Sequence, residues 1–317
     1  MAWIRDFGAY LPARVVPNAE LAERYGWDAA WIARMTGIEE RRYAADGESV
    51  ADLGVAAARD CLANAGMSPS DLGLILVSSG SSERRFPGPA SSVAYALGHP
   101  GVPAIDIPLA SAGSLFALAL ADRLAPFHGN VLIVATEKMS SIATREPADR
   151  NVAPLFGDGA GACLVSPSEG AFRIVDSVLH SDGAFANDLQ LGLDAPLEMN
   201  GLTVILQAGR KIPAAISEVL ERNHVAALDV PVFIMHQANQ NLIDRVARAA
   251  GVPSERFFSN IRRYGNTSSA SMLIAAAEWW NSEKRTSDAS RSLTNICFAG
   301  FGAGFHWGAV LASATQK

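Results

Sequence analysis

The strongest constraint on this chain is that its sequence runs through one order twice. "DLGLILVSSG" reads as a buried strand, and "LDVPVFIMHQA" echoes it further on. The small-residue helix start at Ala110-Ser111-Ala112-Gly113-Ser114 has a counterpart in "YGNTSSASMLIAAAEWW". "FGDGAGACLVS" at Phe156–Ser166 returns as "FGAGFHWGAVLAS" at Phe301–Ser313, each read as a glycine-rich turn feeding an apolar strand. Repetition of this kind marks two copies of one supersecondary unit. The copies join near residues 167–175, which gives an N-terminal half at 1–168 and a C-terminal half at 169–317. Equivalent segments then meet across a pseudo-twofold axis, where Ser111, His236 and Asn266 can share one place.

Further apolar runs, "VPAIDIPLA", "NVLIVATE" and "GACLVSP", alternate with the helical patterns "SVADLGVAAARDCLANAG" and "GSLFALALADRLAPF". Alternation of strands and helices predicts an α/β fold with a mostly parallel sheet covered on both faces. With 317 residues, 49% of them hydrophobic, the chain has ample material for its core. Its net charge of −6, with basic residues scattered rather than clustered, argues against nucleic acid as a partner. Arg5 and Asp6 interrupt the place of a signal peptide's apolar stretch, and no segment approaches the length of a membrane span, so a cytoplasmic protein is expected. Cys61, Cys163 and Cys297 lie far apart in apolar surroundings and read as buried free thiols. The six histidines show no short ligand spacing, and neither a metal nor a cofactor is expected.

Three polar residues stand out from the apolar pattern. Ser111 sits where a strand passes through tiny residues into a helix, a place that suits either an N-cap or a nucleophile held at a helix N-terminus. His236 ends the apolar run "VFIM", on the strand edge where ligands bind in α/β proteins, and precedes an amphipathic helix with Leu242, Val246 and Ala249 on one face. It reads equally as a satisfied structural histidine. Asn266 follows Gly265, which permits an unusual backbone angle, and a turn amide is the plain reading. The glycine segment "AGFGAGFHWG" can bring main-chain amides close to a reacting carbonyl, as an oxyanion hole requires. It leads into a strand, so it is not a dinucleotide fingerprint.

Together "YLPARVVPNAELAER", "WIARMTGIEERR", "FGDGAGA", "HQAN", "GNTSSAS" and "GFGAGFHWGA" resemble the β-ketoacyl-[acyl carrier protein] synthase III family, from about Ile4 to Leu311 and in the family's order. The resemblance implies a thiolase-like fold, two duplicated halves in a five-layer αβαβα arrangement, and a homodimer. It implies acyl transfer from acyl-CoA, then decarboxylative Claisen condensation with a malonyl thioester that can be carried on acyl carrier protein. Residue by residue, Ser111 occupies the family's nucleophilic cysteine, and His236 and Asn266 match the pair that polarises the second thioester. Gly302, with the amide of Ser111, matches the oxyanion hole. Trp31 and Arg150 match residues that sandwich the adenine of coenzyme A, and Phe86 matches one that reaches across a dimer interface toward the acyl pocket.

A serine hydroxyl gains less than a thiol from a helix N-terminus and needs an adjacent base, for which His236 is the candidate. Three readings of Ser111 stand open: a natural oxygen nucleophile, a cysteine replaced by engineering, or an impaired partner subunit. Transfer of the acyl group to a small-molecule hydroxyl or amine is the alternative reaction. Where the family often carries a basic residue after its HQAN motif to dock the carrier protein, this chain has Gln240 and Asn241, with Arg245 and Arg248 further along. Its arginine after the tryptophan is also displaced, to Arg34-Met35 before Thr36.

Overall fold

The computed structural model describes residues 1–192, 195–285 and 294–315. Its first part runs β1 (Trp3–Tyr10), β2 (Arg14–Pro17), α1 (Asn18–Tyr25), α2 (Ala29–Thr36), β3 (Glu40–Tyr43), α3 (Val50–Ala65), β4 (Leu72–Ser78), α4 (Pro89–Ala96), β5 (Ala104–Ile107), α5 (Gly113–His128), β6 (Asn130–Lys138), α6 (Ser140–Ala143) and β7 (Asp158–Ser166). The second part runs β8 (Phe172–Ser181), β9 (Leu189–Leu191), β10 (Leu197–Met199), α7 (Gly201–Arg222), β11 (Val232–Met235), α8 (Gln240–Ala249), α9 (Ile261–Tyr264), α10 (Ser271–Arg285), β12 (Asn295–Gly302) and β13 (His306–Ala314).

Nine strands share one hydrogen-bonded order, β11-β12-β13-β8-β1-β7-β6-β4-β5. From one edge, β5, β4 and β6 run parallel, and β7 and then β1 are antiparallel to their neighbours. From the other edge, β11 and β12 run parallel, and β13 and then β8 are antiparallel. A parallel bridge from Phe233 to Phe257 stands outside β11 where β5 stands outside β4. The two series are thus the same series, meeting where Trp3 and Ile4 of β1 face Arg173 and Phe172 of β8.

Burial explains the layers. Apolar faces of α5 and α10 pack together with residues of β1, β4, β6, β7, β8, β11, β12 and β13 in one cluster, so both helices lie between the two halves of the sheet. One outer cluster joins α3 and α4 to β4, β6 and β7, and the other joins α7 and α8 to β11, β12 and β13. The result is the expected αβαβα stack. Local chemistry sets the helix ends: Ser49 and Asp52 form a reciprocal capping box at the start of α3, and Gly66 closes it in the left-handed region at φ 63°.

The sheet expected to be mostly parallel is mixed, with three parallel and five antiparallel pairings, because the two strands at the inner end of each series run against their neighbours. Two local expectations are corrected as well. In "FGDGAGA" the glycines Gly159 and Gly161 belong to β7 rather than to a turn, and a Cβ on Gly161 would fall 2.6 Å from Leu273 Cβ. Their absent side chains let α10 lie against the sheet. The turn is present only in the second copy, at Ala303–Phe305 between β12 and β13. On α8 the buried face is Leu242, Ile243, Val246 and Ala247, which leaves Ala249 at the exposed edge of the stripe. All three cysteines are buried and free, and burial pushes each thiol above its usual range. No helix among the described residues is long and apolar enough to cross a membrane.

Candidate active site

Between β5 and α5 the chain turns through Ala110, Ser111 and Ala112, with the Ala112 amide donating to the Ala110 carbonyl at 2.7 Å. The N-cap of α5 is Ala112, and no side chain caps it, so Ser111 does not serve as the cap. Ser111 instead holds a φ of 61°, a left-handed backbone that costs a serine of order 1–3 kcal/mol and persists only when its surroundings enforce it. Two neighbours do so. The Ser111 amide donates to Ser268 Oγ at 3.1 Å, and Gly302 lies so close that a Cβ there would fall 2.1 Å from the Ala110 carbonyl oxygen and 3.1 Å from Ser111 Cβ. Glycine at 302 is what allows β12 to approach the turn.

His236 leaves β11 with its amide bonded to Ala299 and is only 4% exposed. Its Nδ1 lies 2.7 Å from Ser271 Oγ, and the Gln237 amide donates to that same oxygen at 3.0 Å. The Ser271 oxygen accepts from that amide, and with its own proton turned to Nδ1 the ring carries its proton on Nε2. Burial pushes the His236 pKa down to about 4, against a smaller raising effect of the Ser268 main chain. The ring is a neutral N–H donor.

Asn266 is positioned by Gly265, whose φ of 66° brings the chain close beside the Leu155 carbonyl. Its main chain bonds to Leu155 and Gly157, and its Oδ1 accepts from the Ser268 amide at 2.8 Å. The carbonyl end of the side chain is engaged there, the amide's two donors take no part in that bond, and Asn266 lines the cavity.

One cavity brings Ser111, His236, Asn266 and Gly302 together, as expected from the sequence. Its walls are mainly apolar, drawn from Met139, Leu155, Phe156, Met235, Phe301 and the segment spanning β9, β10 and the start of α7. No charged side chain lines it among the described residues. Leu193 and Asp194, in the expected pocket-shaping segment, lie outside the described residues.

Other expected residues are arranged differently. The Arg150 guanidinium sits 4.0 Å from the centre of the Trp31 ring, so the two faces meant to hold an adenine are closed on each other. A flat base between them needs about 3.5–4.0 Å of clearance on each side, and they must part to admit one. Phe86 is 85% exposed and does not line this chain's own cavity. Three residues to which the sequence reading gave no role now surround the site. Ser268 holds the Ser111 amide, Ser271 orients His236, and the fully buried Glu137 accepts from Ser269 and Gly80.

Sequence comparison shows what this arrangement belongs to. Residues 105–183 match the profile of 3-oxoacyl-[acyl-carrier-protein (ACP)] synthase III, and residues 220–313 match that of the same enzyme's C-terminal part. A β-ketoacyl-[acyl-carrier-protein] synthase III from Oleidesulfovibrio alaskensis is 35% identical, over 98% of each chain. The chain belongs to the synthase III family. It is an acyltransferase of that type with a thiolase-like fold. The solved synthase III from Aquifex aeolicus superposes with a TM-score of 0.92 at 34% identity, covering 99% of this chain and 100% of that one. The priming β-ketosynthase of the R1128 polyketide pathway superposes with a TM-score of 0.87 at 30% identity, covering 100% and 97%.

In this synthase III the two residues after the HQAN motif are engaged within the fold. Gln240 donates to Asp244 and accepts from Ser259, while Asn241 donates to the Met35 carbonyl at 3.0 Å. Arg245 and Arg248 are exposed on α8, and Arg245 lies against Gly209 of α7.

Proposed function

We propose that this synthase III accepts an acyl group from acyl-CoA on Ser111, in the place of the family's cysteine, and condenses it with a malonyl thioester. The observation that carries the reading is the meeting of Ser111, His236, Asn266 and Gly302 on one cavity, with no charged side chain lining it among the described residues. In the first step Ser111 Oγ attacks the thioester carbonyl, its proton passes to His236, and coenzyme A leaves as the thiol after taking that proton. The developing oxyanion is met by the main-chain amides of Gly302 and Ser111, the latter released from Ser268 Oγ. For His236 to act as base, the Ser271 hydroxyl must turn so that the ring proton moves to Nδ1, freeing Nε2.

In the second step the malonyl thioester loses carbon dioxide, and the negative charge forms on its thioester oxygen. His236 Nε2–H and the Asn266 amide donate to that oxygen, the carbanion carbon attacks the acyl ester, the ester C–O bond breaks, and the Ser111 alkoxide takes a proton from water to return as the hydroxyl. For this step the Ser271 hydroxyl turns back, and the ring proton returns to Nε2. The product class suits fatty acid or polyketide-type biosynthesis, in line with both kinds of relative. Transfer to a small-molecule hydroxyl or amine is the second reading, favoured by one observation: a serine rather than a cysteine stands at position 111.

Two further assignments support this reading. The exposed Arg245 and Arg248 offer a face for an acidic carrier protein. The free edge of β5, with Ile105 exposed on it and Tyr95, Leu120 and Phe127 exposed on the flanking helices, offers a face for a second copy. We place the boundary between the halves at 168/169, between β7 and β8.

The test combines intact mass with carbon dioxide release. Incubation with short acyl-CoA should add the acyl mass to a peptide containing Ser111, and malonyl thioester should release carbon dioxide. Asn266→Ala should lose carbon dioxide release by about 100-fold or more, the cost of one oxyanion donor, while Ser111 still acylates. Wild-type protein that acylates and moves the group to an alcohol or amine without releasing carbon dioxide would replace condensation with the second reading.

A further inference from the structure

Glu137, at the end of β6, is fully buried, and no ion pair to it is found among the described residues. A buried carboxylate is costly unless donors surround it. Here they do. Oε1 accepts from the Ser269 hydroxyl at 2.6 Å, the Ser269 amide at 3.2 Å and the Gly80 amide at 3.1 Å. Oε2 accepts from the Ser81 hydroxyl at 2.5 Å, the Gly80 amide at 3.1 Å and the Ser79 hydroxyl at 3.4 Å. Two of these partners are main-chain amides, which can only donate, so the side chain is built in as an acceptor at both oxygens.

The partners come from opposite halves of the fold. Gly80 belongs to the segment after β4, lines the cavity, and is packed so tightly on the nucleophile's turn that a Cβ there would fall 2.8 Å from Ala110 Cβ. Ser269 belongs to the segment from Asn266 to Ser271, between Ser268, which holds the Ser111 amide, and Ser271, which orients His236. One side chain therefore grips both segments that flank Ser111.

We propose that Glu137 is a positioning residue for the condensation, locking the Asn266–Ser271 segment against the nucleophile's turn through Ser269. The inference rests on the function proposed above. The carboxylate touches none of the reacting atoms. Its effect is on where Asn266, Ser268 and His236 stand, and a displacement of about 1 Å there is enough to lower the rate of the charge-forming step by about 100-fold.

Glu137→Gln keeps the size but replaces one acceptor by a donor facing hydroxyls, and Ser269→Ala removes a hydroxyl while leaving the carboxylate. At equal folded fraction, Glu137→Gln should lower kcat for carbon dioxide release from malonyl-CoA about 100-fold and leave KM within about 3-fold. Ser269→Ala should lower it less, and the double variant should be no worse than Glu137→Gln, because both act through one contact. Amide hydrogen exchange gives a readout free of activity: Gly80 and Ser269 should exchange faster in Glu137→Gln while the amides of β12 stay protected. Wild-type protein that releases no carbon dioxide would defeat the proposed function and leave the exchange measurement to decide. Unchanged exchange at Gly80 and Ser269, a kcat within about 3-fold of wild type, or additive losses in the double variant would overturn the role of Glu137.

Discussion

Acidification should expose the state of His236. A free histidine titrates near 6.5, whereas in the fold burial pushes this one down to about 4. Between those values the unfolded chain binds a proton that the native protein refuses, so stability is fully present above about pH 6.5 and is lost as pH falls toward 4. Each unit in that window costs about 1.4 kcal/mol, and the unit and a half from 6.5 to 5 costs about 2 kcal/mol. Urea unfolding followed by circular dichroism at pH 7, 6 and 5 measures it, with His236→Gln as the reference, since every other group titrates alike in both proteins. Wild type should lose about 2 kcal/mol more than the variant between pH 7 and 5. The same neutrality means that kcat for carbon dioxide release should show no fall centred near pH 6.5. Parallel stability profiles for the two proteins, or a His236 NMR titration with its midpoint above 6, would refute the argument that burial keeps the ring neutral.

Gly302→Ala should abolish the proposed Ser111 acylation in the mass assay, because its Cβ would fall 2.1 Å from the Ala110 carbonyl oxygen and must displace the Ala110–Ala112 turn. Trp31→Ala should weaken coenzyme A binding by about 1–3 kcal/mol in calorimetry, the worth of one stacked base. Arg150→Ala should weaken it as well, and in both variants the loss of the Arg150–Trp31 contact in the free protein offsets part of the lost stacking. Ile105→Glu, which charges the exposed edge strand, should shift the mass measured by light scattering from dimer toward monomer. A monomeric wild type would remove that interface.

Much of the architecture was written in local patterns. Strands such as Val131–Ala135 are apolar throughout because they are covered on both faces, and the doubled order of segments foretold a doubled sheet. His236 and Asn266 were findable because each interrupts an apolar or glycine-marked stretch. The supports of the site were not. Ser268 and Ser271 are two serines among several at a helix start, where serine is ordinary, and their partners Ser111 and His236 lie 157 and 35 positions away. Glu137 looked like the polar end of a strand, since nothing local signals that Ser269, 132 positions on, will donate to it. Nor does composition announce the left-handed backbone of Ser111, which tertiary contacts impose on a residue that rarely adopts it.

The paired central helices have an electrostatic consequence. Ser111 precedes the start of α5 by two residues, and Ser271, bonded to His236, is the first residue of α10, so the reacting atoms lie where two helix N-termini converge. Each such terminus carries roughly half a positive elementary charge. The enolate of the proposed condensation would be met there by a fixed backbone field beside the side-chain donors, in a cavity whose described walls hold no charged side chain. Among mainly apolar walls salt screens such a field far less than at an exposed surface. Raising the ionic strength should therefore leave the rate of the charge-forming step, once the substrate is bound, nearly unchanged.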